Sequence, residues 1–201
     1  MAEVSADLEI EKKKLAEKIF EKDFFPHADA MYNFALKLTT DPDDANDLLQ
    51  DTFLKAFKYI DSFEEGTNAK AWLFRILKNN FINDYRKKVR NPIISELETF
   101  ENLQPTDSDE FEPDINQNFK TETLQDLMGD EVTLALQSLA TDFRIIIILS
   151  DLEDFTYEEI GKILNIPIGT VRSRLHRARE ILKLKLVDFA RKKGFNTDSL
   201  S

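Results

Sequence analysis

The chain contains no cysteine among its 201 residues, which excludes disulfides, thiol catalysis and thiolate metal sites. Its two histidines, His27 and His176, stand far apart with no ligand pattern beside either, so no metal site is expected. With five glycines it offers no loop that could cradle a phosphate, and it has no Ser/His/Asp constellation. Long apolar runs are missing too. Ile145 to Leu149 is too short to span a bilayer, and the N-terminal MAEVSADLEIEKKK lacks the apolar core of a secretion signal. The carboxylate pairs Asp43-Asp44 and Glu158-Glu159 fall at helix starts, where the helix dipole accounts for them. These absences lead us to expect a cytoplasmic protein that is not an enzyme, needs no cofactor and meets no membrane.

The formal charge is −11, but it is not spread evenly. Between Asn91 and Asp130 there are eleven Asp/Glu and only Lys120. Lys70 to Arg90 carries seven Lys/Arg against Asp84, and Thr170 to Lys193 carries nine against Glu180 and Asp188. Two basic stretches therefore flank an acidic one, and the acidity of the whole does not argue against nucleic-acid binding. The acidic stretch also holds Pro92, Pro105 and Pro113 and shows no sustained apolar period, which is the composition of a linker. It reads either as a tether or as a segment that binds along a basic channel on a partner.

Phe155 to Arg179 carries the strongest local pattern. Ile160, Ile163 and Leu164 give one apolar stripe at helical spacing, and Val171, Leu175, Ala178 and Leu182 give another. Between them Asn165 can take the left-handed conformation that ends a helix, Pro167 cannot continue it, and Thr170 is a suitable N-cap for the next. With Val171 and Leu175 inward, Arg172, Ser173, His176 and Arg177 fall on the outer side. That is the equipment of a recognition helix in a helix-turn-helix: arginine forks onto guanine, while Ser and His reach base edges or phosphates.

Elsewhere the periods are helical, near Ile10 to Phe24, His27 to Leu38, Asp43 to Tyr59, Asn68 to Val89, Thr123 to Leu139 and Thr141 to Leu152. No alternation of period two is sustained. The expectation is an all-α chain of two small helical domains, 1–92 and 123–193, joined by an acidic linker, 93–122, and followed by a tail, 194–201. In the third helix Leu48, Phe53 and Phe57 supply an apolar stripe and leave Asp47, Gln50, Asp51 and Lys55 to solvent or a partner. The fourth interleaves aromatic and basic residues. Of these Trp72, Leu73 and Ile76 read as core, and Arg75, Asn79 and Asn80 as candidates for contact with unpaired bases and phosphates.

These residues carry a resemblance. PDDANDLLQDTFLKAFKYIDSF followed by AWLFRILKNNFINDYRK resembles region 2 of the extracytoplasmic-function sigma factors, and FTYEEIGKILNIPIGTVRSRLHRARE resembles their region 4. The resemblance implies two helical domains that bind core RNA polymerase and direct it to promoter DNA by reading −10 and −35 elements. It matches Asp47, Gln50 and Asp51 to the surface that docks on the polymerase clamp. It matches the Asp61 to Lys70 loop, with Trp72, Arg75 and Asn79 after it, to the element that captures a flipped −10 base. It matches Arg172, Ser173, His176 and Arg177 to the major-groove contacts at −35, and the acidic linker to a segment threaded through polymerase. The family commonly has a cognate anti-sigma factor. Asn46, Ala140 and Gly161 depart from its usual residues; Gly161 should cost roughly 1 kcal/mol of helix stability relative to Ala, or ease close packing. The alternative is a stand-alone helix-turn-helix regulator that binds its operator without polymerase.

Overall fold

The computed structural model describes residues 14–90 and 130–192, and every regular element among them is helical. The acidic linker and the tail lie outside the described residues. So do the N-terminal ends of the first and fifth expected helices.

Helix α1, residues 14–19, runs into a π-turn at Phe20–Phe24 and a 3-10 turn at Phe25–His27. Pro26 accounts for the change of winding, because it has no N–H to donate and its ring crowds the preceding turn. Helix α2, Ala28–Thr39, ends at Thr40 in the left-handed conformation (φ 63°). Helix α3, Pro42–Lys58, is capped by Asp41, whose Oδ1 accepts from the Asp43 and Asp44 amides at 2.9 and 3.0 Å, with Pro42 at its first position. Helix α4, Ala69–Arg90, is capped by Asn68, whose Oδ1 accepts from the Ala71 amide at 2.9 Å.

In the second half, α5 spans Asp130–Gln137 and α6 spans Thr141–Ile147, continued by a π-turn at Ile148–Leu152. Helices α7, Tyr157–Leu164, and α8, Ile168–Lys192, form the helix-turn-helix. Thr156 and Glu159 make a reciprocal capping box at the start of α7, and Asn165 ends it at φ 57°, as the sequence predicts. Thr170 is not the N-cap of α8. The helix begins two residues earlier, with the Thr170 and Val171 amides already bonded to the Pro167 carbonyl at 2.9 and 3.1 Å. Proline at this point needs no donor of its own, so the ladder starts directly after it. Gly161 proves to be a close-approach site: a Cβ there would lie 3.1 Å from the Ile166 carbonyl oxygen and 3.9 Å from Val171 Cγ2.

The apolar run Ile145 to Leu149 is buried along its whole length, because α6 is covered by α8 on one side and by the rest of the core elsewhere. The two halves do not stand apart. α4 packs directly on α7, and the fully buried Phe74 has its ring 5.0 Å from Phe34 in its own half and 5.0 Å from Phe155 in the other. One hydrophobic core runs through both. Among the described residues, no helix is long and apolar enough to cross a membrane.

Candidate nucleic-acid interface

On α8, Val171, Leu175 and Ala178 are buried, which turns Arg172, Ser173, His176 and Arg177 out to solvent. The four arginines between Arg172 and Arg179 divide by their bonding. Arg174 donates to Asp142 Oδ2 at 3.2 Å, and Arg179 forks onto Asp151, with Nε 3.1 Å from Oδ2. Burial would raise the Asp151 carboxyl, but hydrogen bonds from Arg179 and Ser150 outweigh it and hold the group below the usual carboxylate range. No hydrogen bond or ion pair among the described residues engages Arg172 or Arg177. Two arginines thus brace α8 on α6, and two face outward with their donors open. Ser173 donates to the Thr170 carbonyl at 3.1 Å, leaving its hydroxyl oxygen as an acceptor.

The α4 surface sorts the other candidates. Trp72 is half-buried, stacked 5.2 Å from Phe24 and tilted 5.4 Å from Phe63, so one ring face belongs to the core. Arg75 is exposed and Asn79 half-exposed on neighbouring turns. Asn80 corrects the sequence expectation. It is only 4% exposed, its amide donates to Thr52 Oγ1 at 3.1 Å, and its carbonyl accepts from Lys55 Nζ at 2.7 Å. With both ends satisfied inside, it bolts α4 to α3 and has nothing left for a base. Lys55, expected at the surface, is its partner.

Lys78, one turn beyond Arg75, is largely buried. Burial pushes its ammonium down to about 8; Arg75 and Arg86 add to the effect, and Asp142 opposes it. Because the folded group releases its proton before the unfolded one, stability contributed at this site rises with pH between about 8 and 10.5. Lys78→Met should therefore be more stable than the parent at neutral pH and lose that part of the slope. Urea unfolding of both chains at neutral pH and near the top of this window checks it.

On α3, Asp47, Gln50 and Asp51 are exposed along one face. The inward stripe is Ala45, Leu48, Thr52 and Ala56, not one that includes Phe57. Phe57 is 45% exposed and Leu54 69%, and with Glu17, Phe20, Glu21, Gln50 and Phe53 they line an open groove of about 540 Å³. Sequence reasoning missed this apolar strip beside the acidic one. A helix period shows which residues share a face but not which faces the neighbouring helices leave uncovered.

Residues 26–91 match Sigma-70 region 2, and residues 129–182 match Sigma-70, region 4. The ECF RNA polymerase sigma factor SigE of Mycolicibacterium smegmatis is 35% identical over 157 residues, covering 78% of this chain and 57% of its own. EcfG of Rhodopseudomonas palustris, also an ECF RNA polymerase sigma factor, is 36% identical over 153 residues, covering 76% and 77%. The sigma factor RpoE of Bartonella quintana, solved in complex with the anti-sigma factor NepR, matches with a TM-score of 0.63 at 34% identity, covering 84% of this chain and 97% of its own. Region 2 followed by region 4, with only helices as regular elements among the described residues, defines the sigma-70 class of transcription initiation factors. This chain belongs to the extracytoplasmic-function group of that class, the alternative sigma factors that direct promoter-specific initiation.

Proposed function

We propose that the chain binds core RNA polymerase through the exposed α3 face, Asp47, Gln50 and Asp51, with the groove at Leu54 and Phe57 beside it. It then reads promoter DNA at two places. Arg172, Ser173, His176 and Arg177 enter the major groove at −35. The Asp61 to Lys70 loop, Trp72, Arg75 and Asn79 hold an unpaired −10 base. The single observation that carries this reading is the sorting of arginines on α8: two are braced and two are left outward beside Ser173 and His176.

The division of labour follows from chemistry. Duplex sequence is read by bidentate bonds to base edges, while phosphate contacts set register. Opening at −10 unstacks bases at a few kcal/mol each, and a pocket for the extruded base offsets part of that cost. The exposed loop, turned at Gly66 (φ 84°), and the half-exposed Trp72 edge supply an opening of that kind. A cognate anti-sigma factor and a cytoplasmic site of action go with the same reading.

The test is reconstitution: added to core polymerase, the full chain should give initiation at defined start sites. A stand-alone regulator would bind duplex DNA without polymerase and start nothing. Within that assay Asn79→Ala is expected to leave polymerase binding intact and slow open-complex formation by about tenfold, the ratio that ~1.4 kcal/mol produces. Permanganate footprinting at −10 reads it, and a normal rate would remove Asn79 from the base pocket.

A further inference from the structure

Glu153, 8% exposed, reaches Lys37 at 3.4 Å and Lys70 at 3.6 Å and so ties one half of the chain to the other. Asn80 makes a tie of a different kind, between α3 and α4 inside the half that carries the −10 element. Its carbonyl accepts from Lys55 Nζ at 2.7 Å, its amide donates to Thr52 Oγ1 at 3.1 Å, and the Thr52 hydroxyl donates on to the Leu48 carbonyl at 2.7 Å. Every bond in this series runs one way, from an ammonium to a backbone carbonyl. An ammonium has donors only, so the Asn80 amide has one allowed orientation; turned over, it would set one donor group against another. The contact is therefore directional, as apolar packing is not.

Lys55 forgoes an easier partner to make it. Asp51 stands four residues earlier on α3, the favourable order for an acid–base pair along a helix, yet no hydrogen bond or ion pair among the described residues engages Asp51. Asn80 holds the ammonium, and the acid of the docking face stays open.

Position along α4 gives the tie its importance. Leu73, Phe74 and Leu77 fix the first part of the helix in the core with no exposed surface. Past Leu77 the next buried side chain is Asn80, the last one among the described side chains of α4. Asn79 lies between them, half-exposed, a 100° step from Asn80. A group on a helix surface sits about 5 Å from the axis, so a rotation of about 20° carries it roughly 2 Å. At a reacting site a displacement of about 1 Å is enough to cost about a hundredfold in rate. Apolar contacts ending at Leu77 leave α4 that freedom, and the directional bonds of Asn80 remove it.

We propose that Asn80, held by Lys55 and Thr52, is a positioning residue for opening at −10: it sets the rotation of α4 so that Asn79 meets the unpaired base, a role that rests on the assignment of Asn79 to that base above.

Replacing the three polar side chains together leaves none of them buried without a partner. The variant is Thr52→Val with Lys55→Met and Asn80→Leu, and because Lys55 is gone no freed ammonium can turn to Asp51 and mask the docking face. With core polymerase the full chain carrying all three should bind as the parent does and open the −10 region about tenfold more slowly. The cycle with Asn79→Ala separates positioning from mere packing. A residue that acts through Asn79 loses its effect when Asn79 is absent, so adding Asn79→Ala to the triple variant should slow opening by less than about twofold more. Losses that multiply, to about a hundredfold, would overturn the proposal, as would a triple variant that opens at the parent's rate. Should the triple variant unfold, Lys55→Met alone, at a half-buried position, carries the same cycle: slower opening in the parent and no further slowing in Asn79→Ala. Equal slowing in both backgrounds would again overturn it. A parent that fails to initiate, or Asn79→Ala opening at the parent's rate, would defeat the promoter reading itself and the positioning role with it.

Discussion

Phe74→Ala is expected to destabilise the chain by about 3–5 kcal/mol, the range for truncating a fully buried aromatic. The ring has no exposed surface, and it is gripped from both halves by Phe34 and Phe155, with Lys70 standing 5.5 Å over its face. A void there is walled by α4, α2 and the turn before α7, none of which can move in without disturbing the others. Urea unfolding should show the loss as a lower midpoint. Phe57→Ala, which removes an aromatic of the same size from the open groove, should stay within about 0.5 kcal/mol. Equal losses for the two would mean that the Phe74 contacts are not formed in solution.

Arg177→Ala is expected to weaken discrimination at −35 by about 1–3 kcal/mol, the worth of one bidentate arginine–guanine pair. The loss should fall on one or two base pairs and leave binding to the others unchanged. Arg174→Ala is the comparison. It breaks a bridge to Asp142 that is partly solvated, so it should cost less than about 1 kcal/mol of stability and leave sequence preference alone. Binding to a panel of −35 duplexes, each with one base pair changed, separates these outcomes. A uniform weakening by Arg177→Ala would mean that its contact is to phosphate.

The sequence made the helices legible because each carries its own punctuation. Asp41-Pro42 starts α3 and Asn165 ends α7, and both act through bonds within three or four residues of themselves. Legibility stopped where orientation depends on a distant element. Asn79 and Asn80 differ by 100° on one helix, and only the placement of Thr52 and Lys55 on α3 decides that Asn80 turns inward. Thr170 was misplaced for a different reason, since Pro167 opened the helix before a side-chain cap was needed. Glu153 gave no signal at all. It is one of two adjacent acids between two helices, and its partners lie 83 and 116 residues away. The outward face of α8 was readable because burial of Val171 and Leu175 settles the rest of the wheel.

Glu159 is under two demands at once. Its Oε2 accepts from the Thr156 amide at 2.8 Å and from the Thr156 hydroxyl at 2.9 Å to start α7, while Oε1 accepts from Asn68 across to the other half. The Thr156 amide, acting against the cost of burial and aided by the Thr156 hydroxyl and Asn68, holds the carboxyl below its usual range, so it stays charged for both tasks. Aspartate is one methylene too short to serve both ends, and glutamine replaces an acceptor with a donor at one of them. The position is therefore pleiotropic: a substitution that loosens the halves also frays the helix that carries the turn, and neither property can drift without the other.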